Sequence, residues 1–179
     1  MTSNVQNTGT QIRFRDSTDF GPTTANILTV GTPTDGQLDM TSVAATGGAR
    51  ASTKVDLGSP RPSLYKVRAC LEHAATPTDG DTVSFYWAPS SSSTAATGNP
   101  GNVTGTDAAY TDTDGSLAQL QFIGVMTLRA ATVNIGEVGY LLPDEQYGSL
   151  VVVNNDGTAF HSDAAETHVV FDPVVYGDA

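Results

Sequence analysis

Short apolar stretches with period-two alternation recur along the chain between turn signals, the pattern of strands that turn one face to a core. Tyr65, Val67, Ala69 and Leu71 alternate with Lys66, Arg68, Cys70 and Glu72. Val83, Phe85 and Trp87 alternate in the same way with Thr82, Ser84 and Tyr86. Val138, Tyr140 and Leu142 read as one more apolar face, beside a continuously apolar run from Leu150 to Val153. Further strands are expected near residues 27–30, 37–43, 51–57, 119–129, 132–136 and 166–171. That makes about ten, enough for one sandwich or barrel. A helix competes only over 117–129, where Ser116 and Gln119 have capping-box spacing. Strand is preferred, because Ile123, Val125 and Thr127 are β-branched and Gly124 fits a bulge better than a helix interior. Four Asp-Gly pairs (35–36, 79–80, 114–115 and 156–157) sit near strand junctions and read as turns.

Composition supports the same class. The 179 residues are 39% hydrophobic and carry 18 Gly and 9 Pro, with strong helix formers sparse. The expected fold is all-β: a jelly-roll-like β-sandwich over residues 27–179, an extended N-terminal arm over 1–26, and one long polar loop over 88–116. Cys70 is the only cysteine, so no internal disulfide stands in for packing. No signal peptide or apolar membrane span is read, and manufacture in a cytoplasm is expected.

Charge narrows the partners. Nineteen acidic residues against eight basic ones give a net charge of −11, which repels phosphate backbones and anionic lipid, so neither nucleic acid nor membrane is expected as a partner. Seven of the eight basic residues lie in positions 1–68, and fourteen of the nineteen acids lie in 69–179. Either this polarity serves head-to-tail association, or folding interleaves the two parts into a mixed surface. In the arm, Ile12 and Phe14 alternate with Arg13 and Arg15, as in a strand that adds to a sheet edge, its own or a neighbour's. Ile12, Arg13, Phe14, Arg15 and Phe20 are the expected interface residues there. Val103 and Tyr110, the large apolar residues of the long loop, are expected to join them, with Tyr110 as an anchor.

Catalytic patterns are weak, and no enzymatic activity, catalytic residue, cofactor or metal is expected. The cluster His161, Asp163, Glu166 and His168 has imidazoles and carboxylates that could hold a metal, but nothing orients them, and solvated loop residues are the preferred reading. Asp112, Asp114 and Gly115 match only a fragment of a calcium loop and read as a turn. There is no Gly-x-Ser-x-Gly elbow and no phosphate-binding glycine loop followed by Lys. Cys70, beside Lys66 and Arg68, reads as an inert thiol whose pKa those cations could lower.

Three stretches resemble structural proteins of tailed-bacteriophage virions, in particular the β-sandwich decoration or cement proteins on the outside of icosahedral heads. They are Ser84-Phe85-Tyr86-Trp87-Ala88-Pro89 followed by Gly101 to Tyr110, then Leu120-Gln121-Phe122-Ile123-Gly124, then Tyr147 to Asn154. The resemblance spans about residues 64–172. It implies a homo-oligomeric subunit, a trimer by family habit, docked on the major capsid protein at the virion surface. The alternative is a carbohydrate-binding module or a phage fibre or tail adsorption domain, with Trp87, Tyr86, Tyr110 and Tyr140 as stacking platforms.

Overall fold

The computed structural model describes residues 9–174. It is nearly all β, with 40% of residues in strands and 2% helical. In chain order the strands are β1 (Ile12–Arg15), β2 (Thr34–Gln37), β3 (Gly48–Ala51), β4 (Val55–Asp56), β5 (Tyr65–Glu72), β6 (Thr82–Ser90), β7 (Ala108–Tyr110), β8 (Gln121–Thr127), β9 (Val133–Leu141), β10 (Tyr147–Asn154) and β11 (His168–Pro173). A single 3₁₀ turn, Ser116–Gln119, precedes β8. All the strands belong to one sheet, ordered β2-β1-β11-β5-β9-β8-β6-β10-β3-β7, with β4 also paired to β10. Only β1 and β2 run parallel. The sheet curls over its own apolar face into a half-barrel, a sandwich-like arrangement in which β2 and β7 are the free edges.

The alternation read from the sequence sets the inner face. Val67, Ala69 and Leu71 of β5, Val83, Phe85 and Trp87 of β6, Leu150 and Val152 of β10, and Val169 and Phe171 of β11 form the principal core. Phe171 is its aromatic centre, with ring centroids 5.1 Å from Phe14, 5.6 Å from Trp87 and 6.1 Å from Tyr65.

The two halves of the curl are stitched at one narrow place. β8 and β9 pair only at Gly124 and Gly139, while β8 is otherwise bonded to β6 and β9 to β5. Glycine is required at this crossing, because a Cβ on Gly139 would lie 2.5 Å from the Ile123 carbonyl oxygen. Each strand bulges beside it. Opposite Phe85 and Tyr86 the β8 register skips Ile123, the bulge expected at Gly124. Opposite Val67 and Arg68 the β9 register skips Val138. This second bulge corrects the reading of Val138, Tyr140 and Leu142 as one face. Val138 turns into the core, and the extra residue reverses the alternation, so that Leu141 is buried while Tyr140 and Leu142 face water.

Other expectations are revised as well. The arm over 1–26 is not an extension: β1 lies inside the sheet between β11 and β2, and Ile12 and Phe14 are fully buried in the principal core. Residues 1–8 lie outside the described residues. Asp35-Gly36 is not a turn but part of β2, opposite Arg13 and Phe14. Asp35 accepts hydrogen bonds from both Arg13 and Arg15, and Gly36 leaves the room that the Phe14 ring fills. Asp79-Gly80 and Asp114-Gly115 do turn, with left-handed backbone at Gly80, Asp114 and Gly115. Residues 27–30 form no strand. They lie over the outer face of β5, where Leu28 and Val30 pack against Cys70 and Val170.

Candidate interaction surface

The long loop over 88–116 is ordered by packing and by one cation. β6 runs on to Ser90, and the loop then folds back over the outer face of β6, β10, β3 and β7. Val103, Tyr110 and Leu120 form a second cluster there with Ala51, Ala88, Val151 and Val153. The Tyr110 hydroxyl is 2.9 Å from Ser116 Oγ, so the ring and its polar tip are both satisfied internally. Asp112 caps the following 3₁₀ turn by accepting from the Leu117 N–H and the Ser116 hydroxyl. Val103 and Tyr110 are therefore second-core residues, which corrects their reading as interface anchors.

The cation is Lys54, in the loop before β4. Its ammonium donates to Ser90 Oγ and to the carbonyls of Ser92, Thr94 and Thr97, all at 2.8–2.9 Å. Three N–H groups are thus shared among four oxygens of one turn, and partial burial lowers the ammonium pKa. Lys54→Met should keep the stem and remove the hub. The expected loss is about 1–3 kcal/mol, with proteolytic cleavage appearing between Ser91 and Asp107. An unchanged melting point and digestion pattern would show that packing alone holds the loop.

Three basic residues of the first part find acids in the second. Arg50 binds Asp107 at 2.7 Å, Lys66 binds Glu137 at 2.6 Å and Arg68 is paired with Asp172. Folding thus interleaves the two parts at these three pairs. Arg13 and Arg15 both clamp Asp35 and hold their guanidinium groups 4.9 and 5.1 Å from the centre of the Phe20 ring. Phe20 in turn meets His168 edge-on at 5.2 Å. Of the five expected arm residues, Ile12 and Phe14 are core, and Arg13, Arg15 and Phe20 form a half-buried cluster on the outer face.

The histidine cluster is taken up structurally. The His168 ring is fully buried: Nδ1–H donates to the Glu166 carbonyl at 2.8 Å, and Nε2 accepts from the Leu28 N–H at 3.0 Å. Glu166 accepts from the Thr23 N–H, and His161 Nδ1 from the Asp163 N–H. No group of three or more potential ligands is poised for a metal among the described residues. Burial holds the His168 pKa below the ordinary histidine range. A base depressed in the folded state gives stability that is present above its ordinary pKa, about 6.5, and is lost as pH falls through the lowered value. His168→Gln keeps a donor and an acceptor without the titration. The fall in unfolding free energy between pH 7 and pH 5 should therefore be smaller in the variant than in the parent; equal falls would mean that His168 does not contribute.

His73 and Asp156 form a second buried pair, 3.7 Å apart, with His73 stacked on Phe160 at 4.8 Å. Burial lowers the imidazole pKa and, together with Asp81, raises the carboxyl, so both incline to their neutral forms. Neither side chain reaches solvent, and the pair has no opening for a substrate. Cys70 is likewise closed off, its thiol pushed up to about 12 by burial and then by Glu166 and Glu72, the opposite of the lowering that Lys66 and Arg68 could have produced.

The exposed large apolar side chains gather in one place. Loops cover the outer face of β6-β10-β3-β7 and of β5-β11, but among the described residues none covers the strip between them. There Phe122 (54% exposed) and Val125 on β8, Ile135 and Tyr140 (48%) on β9, and Leu142 (62%) just beyond it stand in water. They are five of the six large hydrophobic side chains exposed among the described residues. Tyr86 borders the strip, its ring 5.3 Å from Phe122. A cleft of about 330 Å³ adjoins it where β8 and β9 splay apart, lined by Val125, Arg129, Ile135 and Glu137 among others. The sequence reading missed this face, since its residues looked like ordinary strand positions. The proposed sugar platforms are reduced as well, because Trp87 and Tyr110 are buried, Tyr86 is partly buried against the second cluster, and only Tyr140 of the four is exposed. No family model matches the chain, and comparison with curated proteins and with solved structures also finds no match.

Proposed function

We propose that the protein is a non-enzymatic structural subunit of a tailed-phage virion, a decoration or cement protein that binds the major capsid protein and its own copies on the outside of the head. The observation that carries this reading is the uncovered apolar strip on β8 and β9. A chain that folds its own loops over the flanking outer faces, yet leaves five large apolar side chains together in water, presents a surface made for a partner. The virion assignment is supported by the resembling stretches, which fall on β6, on β7 with the loop before it, on β8 and on β10, all within the half of the sheet that runs β8-β6-β10-β3-β7.

The test is co-sedimentation of the purified chain with heads of the encoding phage from which this subunit has been left out. Saturable binding is expected. Sedimentation with heads no greater than with an unrelated acidic protein would overturn the proposal. A second reading, glycan adsorption, draws on the exposed rings of Tyr140 and Phe122 and the neighbouring Tyr86. Binding to a defined oligosaccharide that is lost in Tyr140→Ala would favour it over the first.

A further inference from the structure

We infer that the β8-β9 strip is the contact between two copies of this chain, packed face to face about a two-fold axis that lies between the faces and crosses the strands at the level of Gly124 and Gly139. This goes beyond the capsid reading and stands without it, since it is argued from the surface alone.

Area is the first ground. Five side chains at roughly half exposure offer on the order of 500 Å² of apolar surface, the size at which a patch on a monomer marks a binding site. With the polar positions that border them, Gln121, Thr127, Lys66 and Glu137, the face approaches the roughly 800 Å² per partner of a standard interface. The face is also pre-formed, being two bulged strands fixed to β6 and β5 on their outer sides.

Charge selects the second copy as the occupant and sets its orientation. Of the eight Lys and Arg side chains, only that of Arg129 has no hydrogen bond or ion pair among the described residues. Its backbone is nonetheless fixed, with the N–H donating to Asn134 Oδ1 at 2.7 Å and the carbonyl accepting from Asn134 Nδ2. At the other end of the strip, the Asp144 and Glu145 carboxylates are also without side-chain partners among the described residues. Arg129 lies five residues beyond Gly124 toward the hairpin tip, and Asp144 lies five residues beyond Gly139 in the opposite direction. Arg129 stands two residues past the end of β8 and Asp144 three residues past the end of β9, so they lie at opposite ends of the strip. An axis across the strands at the glycine crossing reverses one copy end for end. It brings Arg129 of each copy to the level of Asp144 and Glu145 of the other, twice over, as isologous symmetry requires. An axis along the strands would instead set Arg129 against Arg129. The unpaired charges thus complement their own copy in one orientation only, on a body whose net charge of −11 otherwise opposes association.

Sedimentation equilibrium of the full chain between about 1 and 100 μM tests this. The parent should approach a mass twice the 18.5 kDa of one chain. Ile135→Asp with Leu142→Asp should be monomeric throughout, with an unchanged far-ultraviolet spectrum. Arg129→Asp should weaken the dimer at least tenfold, and Arg129→Asp combined with Asp144→Arg should recover most of that loss. A parent that stays monomeric, a trimer, a dimer indifferent to the apolar double variant, or a charge swap that fails to rescue would each overturn the inference. If a monomeric parent binds heads and the apolar double variant does not, the strip belongs to the capsid contact, and the inference fails while the proposed function stands.

Discussion

Phe14→Ala should destabilise the protein by about 3–5 kcal/mol, the range for truncating a fully buried aromatic, and deleting residues 1–16 should abolish folding. Phe14 is completely enclosed, its ring 5.1 Å from Phe171 and 6.5 Å from Trp87, so alanine leaves a cavity at the meeting point of β1, β6 and β11. Deletion removes more. β1 satisfies the backbone of β11 on one side and β2 on the other, and Arg13 and Arg15 hold Asp35 in β2. Against a typical total of 5–15 kcal/mol for a domain, that loss cannot be absorbed. Urea unfolding of the point variant and circular dichroism of the truncation are the measurements. A truncated protein that keeps the parent's spectrum and melting point would mean that residues 12–15 are a detachable arm, contrary to their place inside the sheet.

Tyr110→Ala is the second large effect, about 2–4 kcal/mol from lost burial and one lost hydrogen bond. Tyr110 closes the outer cluster with Val103, Leu120 and Val151, and its hydroxyl meets Ser116 Oγ, which also bonds Asp112. Removing the ring loosens β7, the edge strand, and the turn that leads into β8. Amide hydrogen exchange should therefore speed up from Ala108 to Leu120 and remain slow in β5 and β11. Tyr110→Phe separates the two causes, since it keeps the ring and loses only the hydrogen bond, for about 1 kcal/mol. A melting point unchanged in Tyr110→Ala would show that the loop is not anchored by this residue.

The strands with the longest alternation were legible because their partners add nothing that the pattern lacks. From Tyr65 to Leu71 in β5 and from Val83 to Trp87 in β6 every second residue is apolar and buried, and Gly124 marks its bulge. The failures are places where a distant residue decides. Ile12 and Phe14 show the alternation of a sheet strand, but whether the sheet is its own depends on β11, about 155 residues away, which local pattern cannot report. Asp35-Gly36 has the chemistry of a turn and becomes a strand only because two arginines of β1 reach its carboxylate. Cys70 sits on the outer face as its alternation requires, yet it is buried because residues 27–30 cross over it. The apolar strip was hidden by the bulge at Val138, which reverses the phase of β9 within three residues and sends Tyr140 outward. Gly139 stands beside this bulge as Gly124 stands beside the other, but a glycine inside an alternating run does not by itself show that the phase changes there.

Surface chemistry was the least legible of all. The charge imbalance along the chain is conspicuous in the sequence, yet folding sets Arg50, Lys66 and Arg68 against acids of the second part, while Arg129, the only basic residue after position 68, keeps a side chain without a partner among the described residues.

Cryo-electron microscopy of heads from the encoding phage, prepared with and without this subunit, tests the central claim most directly. The account predicts symmetry-ordered density for an all-β body of this size on the outer surface of the complete heads, absent from the others. Identical outer surfaces in the two preparations would contradict it.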